Sequence, residues 1–221
     1  MSKNNDYTII LLGDSEVGKA TLFKKISSGI FTDKNISNIG IDKKTLSFKD
    51  IEVEIKGKKQ KEDFNIILYD TAGQERYRAI TKNYFQGKDM VFMIYDISSR
   101  RSFIDIESWL ESLKEVLSSW EKGNYLIFLF GNKVDLIDNK EKPREVEEEE
   151  AMKLCEDNNI IWGGEKSFLN SSKDQLTEMI LNCWKDYVHK FGIKEEILLQ
   201  KKMEGEKFYG KKKKKKNICI K

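Results

Sequence analysis

The chain has 221 residues, 39% apolar and 35% charged, with three cysteines and one proline. That is enough to build one core with a short appendage and too little for two substantial domains. Three cysteines exclude a disulfide scaffold, no apolar run approaches the ~18 residues of a membrane span, and the mixed signs of the charges describe a solvated surface.

In chain order, Thr8–Leu12 reads as a buried strand, Gly13-Asp14-Ser15-Glu16-Val17-Gly18-Lys19-Ala20 as a glycine loop, and the apolar spacing of Leu22, Phe23 and Ile26 as a helix over 19–28. Strand, loop and helix in this order form a phosphate cradle. Backbone N–H groups converge on phosphate oxygens, the helix N-terminus adds its positive dipole end, and Lys19 adds a full charge. Residues 42–55 and 63–69 read as a hairpin around the polar run Lys56–Glu62, expected to be a loop. Further apolar strands fall at 66–69, 90–95, 125–130 and 160–162, and helical patterns at 102–118, 146–157 and 174–190. The alternation predicts an α/β fold: a mostly parallel sheet with one antiparallel edge strand and helices on both faces.

Two more polar clusters stand just past strand ends, where open parallel sheets bind ligands. They are Asp70-Thr71-Ala72-Gly73-Gln74-Glu75 and Asn132-Lys133-Val134-Asp135. A buried Asp135 carboxylate can accept from both the ring N–H and the exocyclic amine of guanine, whereas adenine leaves it unpaired at a cost of roughly 1–3 kcal/mol per lost bond. Guanine is therefore the expected base.

With these segments the chain resembles the small GTPases of the Ras superfamily, and among them the Rabs, over roughly residues 7–190. The P-loop, Asp70–Tyr77 and Asn132–Asp135 carry the likeness, with weaker support from Ile39-Gly40-Ile41-Asp42 and Tyr95-Asp96-Ile97. The resemblance implies a G domain over 1–190 that binds GTP or GDP with Mg2+ and hydrolyses GTP. It implies phosphate contacts from Gly13 through Lys19, Ala20, Thr21 and the Gly73 amide, and an attacking water positioned by Gln74. It also implies that Phe31 flanks the base, that Asn132, Lys133 and Asp135 contact it, and that Ser171, Ser172 and Lys173 complete its loop. Asp70 would order the metal through water. Segments 32–42 and 73–84 would meet effectors, an exchange factor and a GTPase-activating protein, the chain being a monomer that serves vesicle trafficking.

The departures lie at the metal. Ala20 stands where a hydroxyl ligand is expected, with Thr21 about 100° further round the helix, and Asn38 replaces the switch threonine. Water can stand in for one hydroxyl and the Asn38 amide oxygen for the other, so a weakened site and slow hydrolysis are expected. The alternative is a pseudo-GTPase that serves as a membrane-associated scaffold. Glu16 puts a carboxylate into the loop and is expected to face solvent. Lys43 replaces an aromatic beside the switch, and Tyr69 a tryptophan.

Residues 191–221 read as a disordered polybasic tail, with six consecutive lysines at 211–216. Without 211–221 the chain holds 33 basic against 37 acidic residues, so the positive charge sits in the tail. Such a run contributes about 1 kcal/mol per lysine at an anionic leaflet. Cys219 is the expected lipidation site by resemblance, though it lies third from the end and lacks the paired cysteine. The opening residues carry no apolar secretory run and position 2 is serine, so the expected location is cytoplasmic, peripheral on the cytosolic face of an intracellular membrane. An acidic body argues against specific nucleic-acid binding. Cys155 and Cys183 read as buried reduced thiols, and His189 as a helix-end residue rather than a catalytic base.

Overall fold

The computed structural model describes residues 5–27, 41–71, 87–118 and 124–194. Six strands form one sheet: β1 Asp6–Leu12, β2 Ile41–Ile55, β3 Lys58–Thr71, β4 Met90–Asp96, β5 Leu126–Asn132 and β6 Ile161–Lys166. Five helices are α1 Lys19–Ser27, α2 Arg100–Ser118, α3 Val134–Asp138, α4 Glu148–Asn158 and α5 Lys173–Phe191. The sheet order is β2-β3-β1-β4-β5-β6, and every neighbouring pair is parallel except β2 with β3. This is the α/β fold expected. Among the described residues no helix is long and apolar enough to cross a membrane.

Strand periodicity explains the layers. In β1, Ile9 and Leu11 point to one face and Ile10 and Leu12 to the other, all fully buried. The first face packs on α1 and α5 through Leu22, Ile26, Leu176, Ile180 and Trp184; the second packs on α2 and α4 through Phe103, Ile106, Trp109, Ala151 and Cys155. Covered on both sides, β4 is buried at all seven positions, which is why it reads as a continuous apolar run. Trp184 stacks on Phe64 with centroids 3.7 Å apart, and Tyr7 meets both edge-on, joining α5 to the hairpin side of the sheet. Gly163 lets β6 approach Phe130, whose Cε1 would lie 2.2 Å from an added Cβ.

The hairpin corrects one expectation. Residues 58–62 are not loop: β3 starts at Lys58, and Ile51↔Glu62 through Ile55↔Lys58 continue the antiparallel ladder beyond an irregularity between Phe48 and Ile51. The turn is only Lys56-Gly57, both at positive φ (51° and 77°), as a tight two-residue hairpin requires. Val53 and Ile55 are buried while Glu52, Glu54, Lys59 and Lys61 face solvent. The charged composition imitates a loop because it belongs to the wet face of a strand pair.

α4 opens as its acidic run predicts, with a capping box between Glu147 and Glu150. The short α3 and the first residues of α2, from Arg100, go beyond the expected helices. His189 lies in the last turn of α5, where positive charge meets the negative dipole end.

Candidate functional site: a phosphate loop tied to a base pocket

The loop between β1 and α1 requires glycine at two points. A Cβ on Gly13 (φ 135°) would lie 2.1 Å from the Ile94 carbonyl oxygen, and one on Gly18 (φ 107°) 2.1 Å from the Asn132 Nδ2. The second contact matters most, because Asn132 Nδ2 donates to the Val17 carbonyl at 2.7 Å. The residue that ends β5 therefore holds the phosphate loop directly. Trp109 of α2 also reaches this loop, its Nε1 donating to Asp14 Oδ1 at 3.0 Å. In the sequence Trp109 shows only the apolar spacing of a helix.

Lys19 is buried, and its ammonium donates to the carbonyls of Gly13, at 2.7 Å, and Asp14. Those bonds hold the charge inside the ring of loop amides. Ser15, Glu16 and Ala20 are exposed. Glu16 adopts a left-handed backbone (φ 65°) and faces solvent as expected, at a local cost of about 1 kcal/mol for a residue with a Cβ. Thr21 sits half-buried on the next position of α1.

Asp70, at the end of β3, is shielded by burial, which raises its carboxyl to about 6; Lys19 pulls the other way and Asp42 adds to the rise. Its Oδ1 is buried and has no hydrogen-bond partner. A lone carboxylate oxygen beside a phosphate loop fits a hydrated cation. Ala20 contributes no oxygen to such a site, and among the described residues no group of three or more His, Cys, Asp or Glu side chains could hold a metal. The residues thus fit water-mediated Mg2+ ligation in part.

Past β5, Lys133 takes a left-handed backbone (φ 72°) and pairs with Asp96 at 2.7 Å. Burial alone would raise Asp96, but the hydrogen bonds from Lys133 and from Ser98 N and Oγ outweigh it and hold the carboxyl below its usual range. Asp135 is the second residue of the short α3, only 8% exposed, and its Oδ1 has no hydrogen-bond partner. An unmatched buried carboxylate oxygen costs about 1–3 kcal/mol, so this position is built for a donor.

The fourth segment follows β6. β6 ends at Lys166, paired with Asn132, and the next residues turn inward. Phe168 N donates to Asn132 Oδ1 at 2.9 Å, and its ring lies 3.9 Å from where a Gly18 Cβ would be. Ser171 donates its N–H to the Ser167 carbonyl at 2.8 Å, while Ser172 caps α5 in a capping box with Gln175, and Lys173 is the first residue of that helix. The loop beside Asn132 is therefore Ser167-Phe168; Ser171, Ser172 and Lys173 lie further on, at the head of α5. Phe31, Asn38, Gly73, Gln74 and Cys219, with most of segments 32–42 and 73–84, lie outside the described residues.

Lys43 stands opposite Tyr69 across the β2–β3 ladder, and the Lys88 ammonium lies 4.3 Å from the Tyr69 ring centroid. Cys155 and Cys183 are both free and buried, as expected, and burial pushes the Cys155 thiol up to about 12.

The Ras family's sequence profile matches residues 8–184. Ras-related protein Rab-11C of Dictyostelium discoideum is 35% identical over 194 residues, covering 87% of this chain and 77% of that protein. Ras-related protein Rab-8B of Homo sapiens is 34% identical over 190 residues (81% and 84%), and Ras-related protein Rab-13 of Canis lupus familiaris 37% over 154 (70% and 68%). A glycine loop, an acidic residue ending the adjacent strand and a buried aspartate beyond β5, arranged along one sheet edge, agree with that match: the chain belongs to the Ras family, as a Rab-like small GTPase.

Proposed function

We propose that this chain is a guanine-nucleotide switch that binds GTP and GDP, hydrolyses GTP slowly by itself, and recruits effectors to an intracellular membrane in vesicle trafficking. The observation that carries the reading is the buried, unpartnered Asp135 oxygen, three residues past an Asn132 that is bonded to the phosphate loop. Guanine supplies the two donors that a carboxylate there lacks. Lys19 and the amides of Gly13 through Ala20 bind the polyphosphate, with the Thr21 N–H in the same helix turn and the Gly73 amide as a further donor. Asn132, Lys133, Asp135, Phe31 and the loop from Ser167 through Ser171, Ser172 and Lys173 surround the base.

Mg2+, held by Asp70 through water with Asn38 as a substitute ligand, would neutralise charge developing between the β and γ phosphates. Ala20 removes one direct oxygen from that set, and Gln74 still orients the attacking water. Turnover is therefore expected to suffer more than diphosphate binding. Single-turnover hydrolysis of GTP, compared between the wild type and the double variant Ala20→Ser, Asn38→Thr, tests this. A faster double variant is expected; equal rates would refute it.

The same Ala20 favours a second reading, a pseudo-GTPase that keeps nucleotide without cycling and acts as a scaffold. The nucleotide that co-purifies, before and after magnesium chelation, separates the two: a mixture of GTP and GDP that exchanges on chelation supports the switch, and an unexchanging or absent nucleotide supports the scaffold. In either case segments 32–42 and 73–84 are the proposed partner surface, for effectors, exchange factor and GTPase-activating protein. The lysines of 211–216 and a lipid on Cys219 form the proposed anchor of a monomer to an anionic cytosolic leaflet.

A further inference from the structure

We infer that Lys25 is a positioning residue that clamps the base loop to the phosphate-loop helix and thereby sets how long a guanine nucleotide stays bound. The inference rests on the guanine-switch reading above and goes beyond it in assigning control of release to a residue outside the nucleotide-contact segments.

Lys25 lies six residues after Lys19 on α1. At 100° per residue the two side chains leave the helix about 120° apart, so Lys25 is no second phosphate ligand. Its ammonium instead donates to two carbonyls of the base loop, Leu169 and, at 2.6 Å, Ser171. A solvated helix lysine ordinarily loses side-chain entropy for nothing when it is fixed. Two carbonyl acceptors from one short loop compensate for that loss, and charged donors make the stronger kind of hydrogen bond.

The loop Lys25 grips is anchored at its start by the buried Phe168 and at its end by the Ser172 cap of α5, and is braced between them by its own bonds. Asn170 N donates to Ser167 Oγ at 3.0 Å and Ser171 N to the Ser167 carbonyl at 2.8 Å. Its one side-chain bond to the sheet is Phe168 N to Asn132 Oδ1 at 2.9 Å, among the described residues. Asn132 in turn donates to Val17 of the phosphate loop, and α1 starts from that same loop at Lys19, with Leu22 N bonded to the Gly18 carbonyl at 3.1 Å. The contacts close a circuit: phosphate loop, Asn132, Phe168, Leu169 and Ser171, Lys25, α1, and back to the phosphate loop. Opening it at Lys25 releases the Leu169 and Ser171 carbonyls, so that the middle of the base loop, between Phe168 and the Ser172 cap of α5, loses its tie to α1. The base side of the pocket then opens more often, and nucleotide escapes faster, while the phosphate-binding surface keeps its shape.

The test uses full-length protein loaded with a fluorescent GDP. Release and association are followed by stopped flow for the wild type, Lys25→Met and Lys25→Arg. Lys25→Met should release GDP about tenfold faster, equivalent to about 1.4 kcal/mol, with the association rate within threefold of wild type. Lys25→Arg, which keeps a charged donor, should recover most of the slow release. Amide exchange in the nucleotide-free proteins should quicken over 167–172 in Lys25→Met and nowhere in β4 or β5, a pattern that general destabilisation would not give. Release from Lys25→Met at the wild-type rate, or quickened exchange throughout the sheet, overturns the clamp while leaving the guanine reading intact. A wild-type chain that binds no GDP overturns both.

Discussion

Asn in place of Asp135 should move two measurements in opposite directions. The Asp135 Oδ1 is buried without a hydrogen-bond partner, in a residue only 8% exposed in total. Such a group costs about 1–3 kcal/mol. Asp135→Asn keeps the shape and removes the charge, so the stripped protein should gain part of that energy. For a chain of this size each kcal/mol moves the melting temperature by about 2–4 °C, and a rise of about 2 °C or more is expected by scanning calorimetry. With guanine bound, the carboxylate accepts two charge-assisted hydrogen bonds of about 1.5–3 kcal/mol each. An amide presents one donor face to one of those guanine donors, so at least one bond is lost and a repulsive pair replaces it. Titration calorimetry should show GDP affinity lower by about a hundredfold or more, since 1.4 kcal/mol is tenfold. A variant that binds GDP within threefold of wild type refutes the base assignment. A stripped variant that melts lower refutes the claim that the carboxylate is strained when alone.

Three further outcomes follow from the fold. Gly163→Ala places a Cβ 2.2 Å from the buried Phe130 ring, an overpacking that should cost about 1–3 kcal/mol; urea unfolding with an unchanged midpoint would mean that β6 is not seated against that ring. Lys194→Met removes the ammonium bonded to Asp89 at 2.7 Å and leaves a carboxylate of 8% exposure to Thr8 and Tyr187 alone. Breaking so buried a pair should cost about 3 kcal/mol, read by thermal unfolding, and Asp89→Asn added to it should restore part of the loss. Burial raises both core thiols, Cys155 to about 12. Because the neutral thiol is the form the fold prefers, this contribution is complete below the ordinary thiol pKa of about 8.5 and fades as pH rises toward 12. Ellman's reagent at pH 8 should leave Cys155 and Cys183 unlabelled until the protein is denatured; prompt labelling of either in the native state would contradict its burial.

The fold was legible wherever burial leaves a one-dimensional trace. β4 and β5 are covered on both faces and read as apolar runs; α2 and α5 bury one stripe each and read at helical spacing. The hairpin end was not legible, because Lys59 and Lys61 occupy the wet side of a strand whose dry side is supplied by Val53 and Ile55 on its partner. At the site, the loops carrying Lys19 and Asp135 could be placed because their chemistry lies in contiguous residues. The base loop is less legible, because two roles that composition does not show depend on neighbouring elements: Ser172 caps α5, and Phe168 is brought to Asn132 by where β6 stops pairing. Lys25 and Trp109 were invisible for the same reason, since each acts on a segment far away in sequence.

These placements bear on how the two halves of the pocket can diverge independently. The base half is built from backbone groups and a carboxamide that bond to one another, so a substitution in it opens the hydrogen-bond circuit through Asn132 and disturbs the phosphate loop as well. Ala20 and Glu16, by contrast, are both exposed. Losing a hydroxyl at position 20 therefore leaves the cradle intact while removing an oxygen that only the metal would use. Under the proposed function, nucleotide selection and nucleotide turnover would thus be separable: the first is bound up with the packing of β5, β6 and α1, the second with side chains that the fold can change at little cost to its stability.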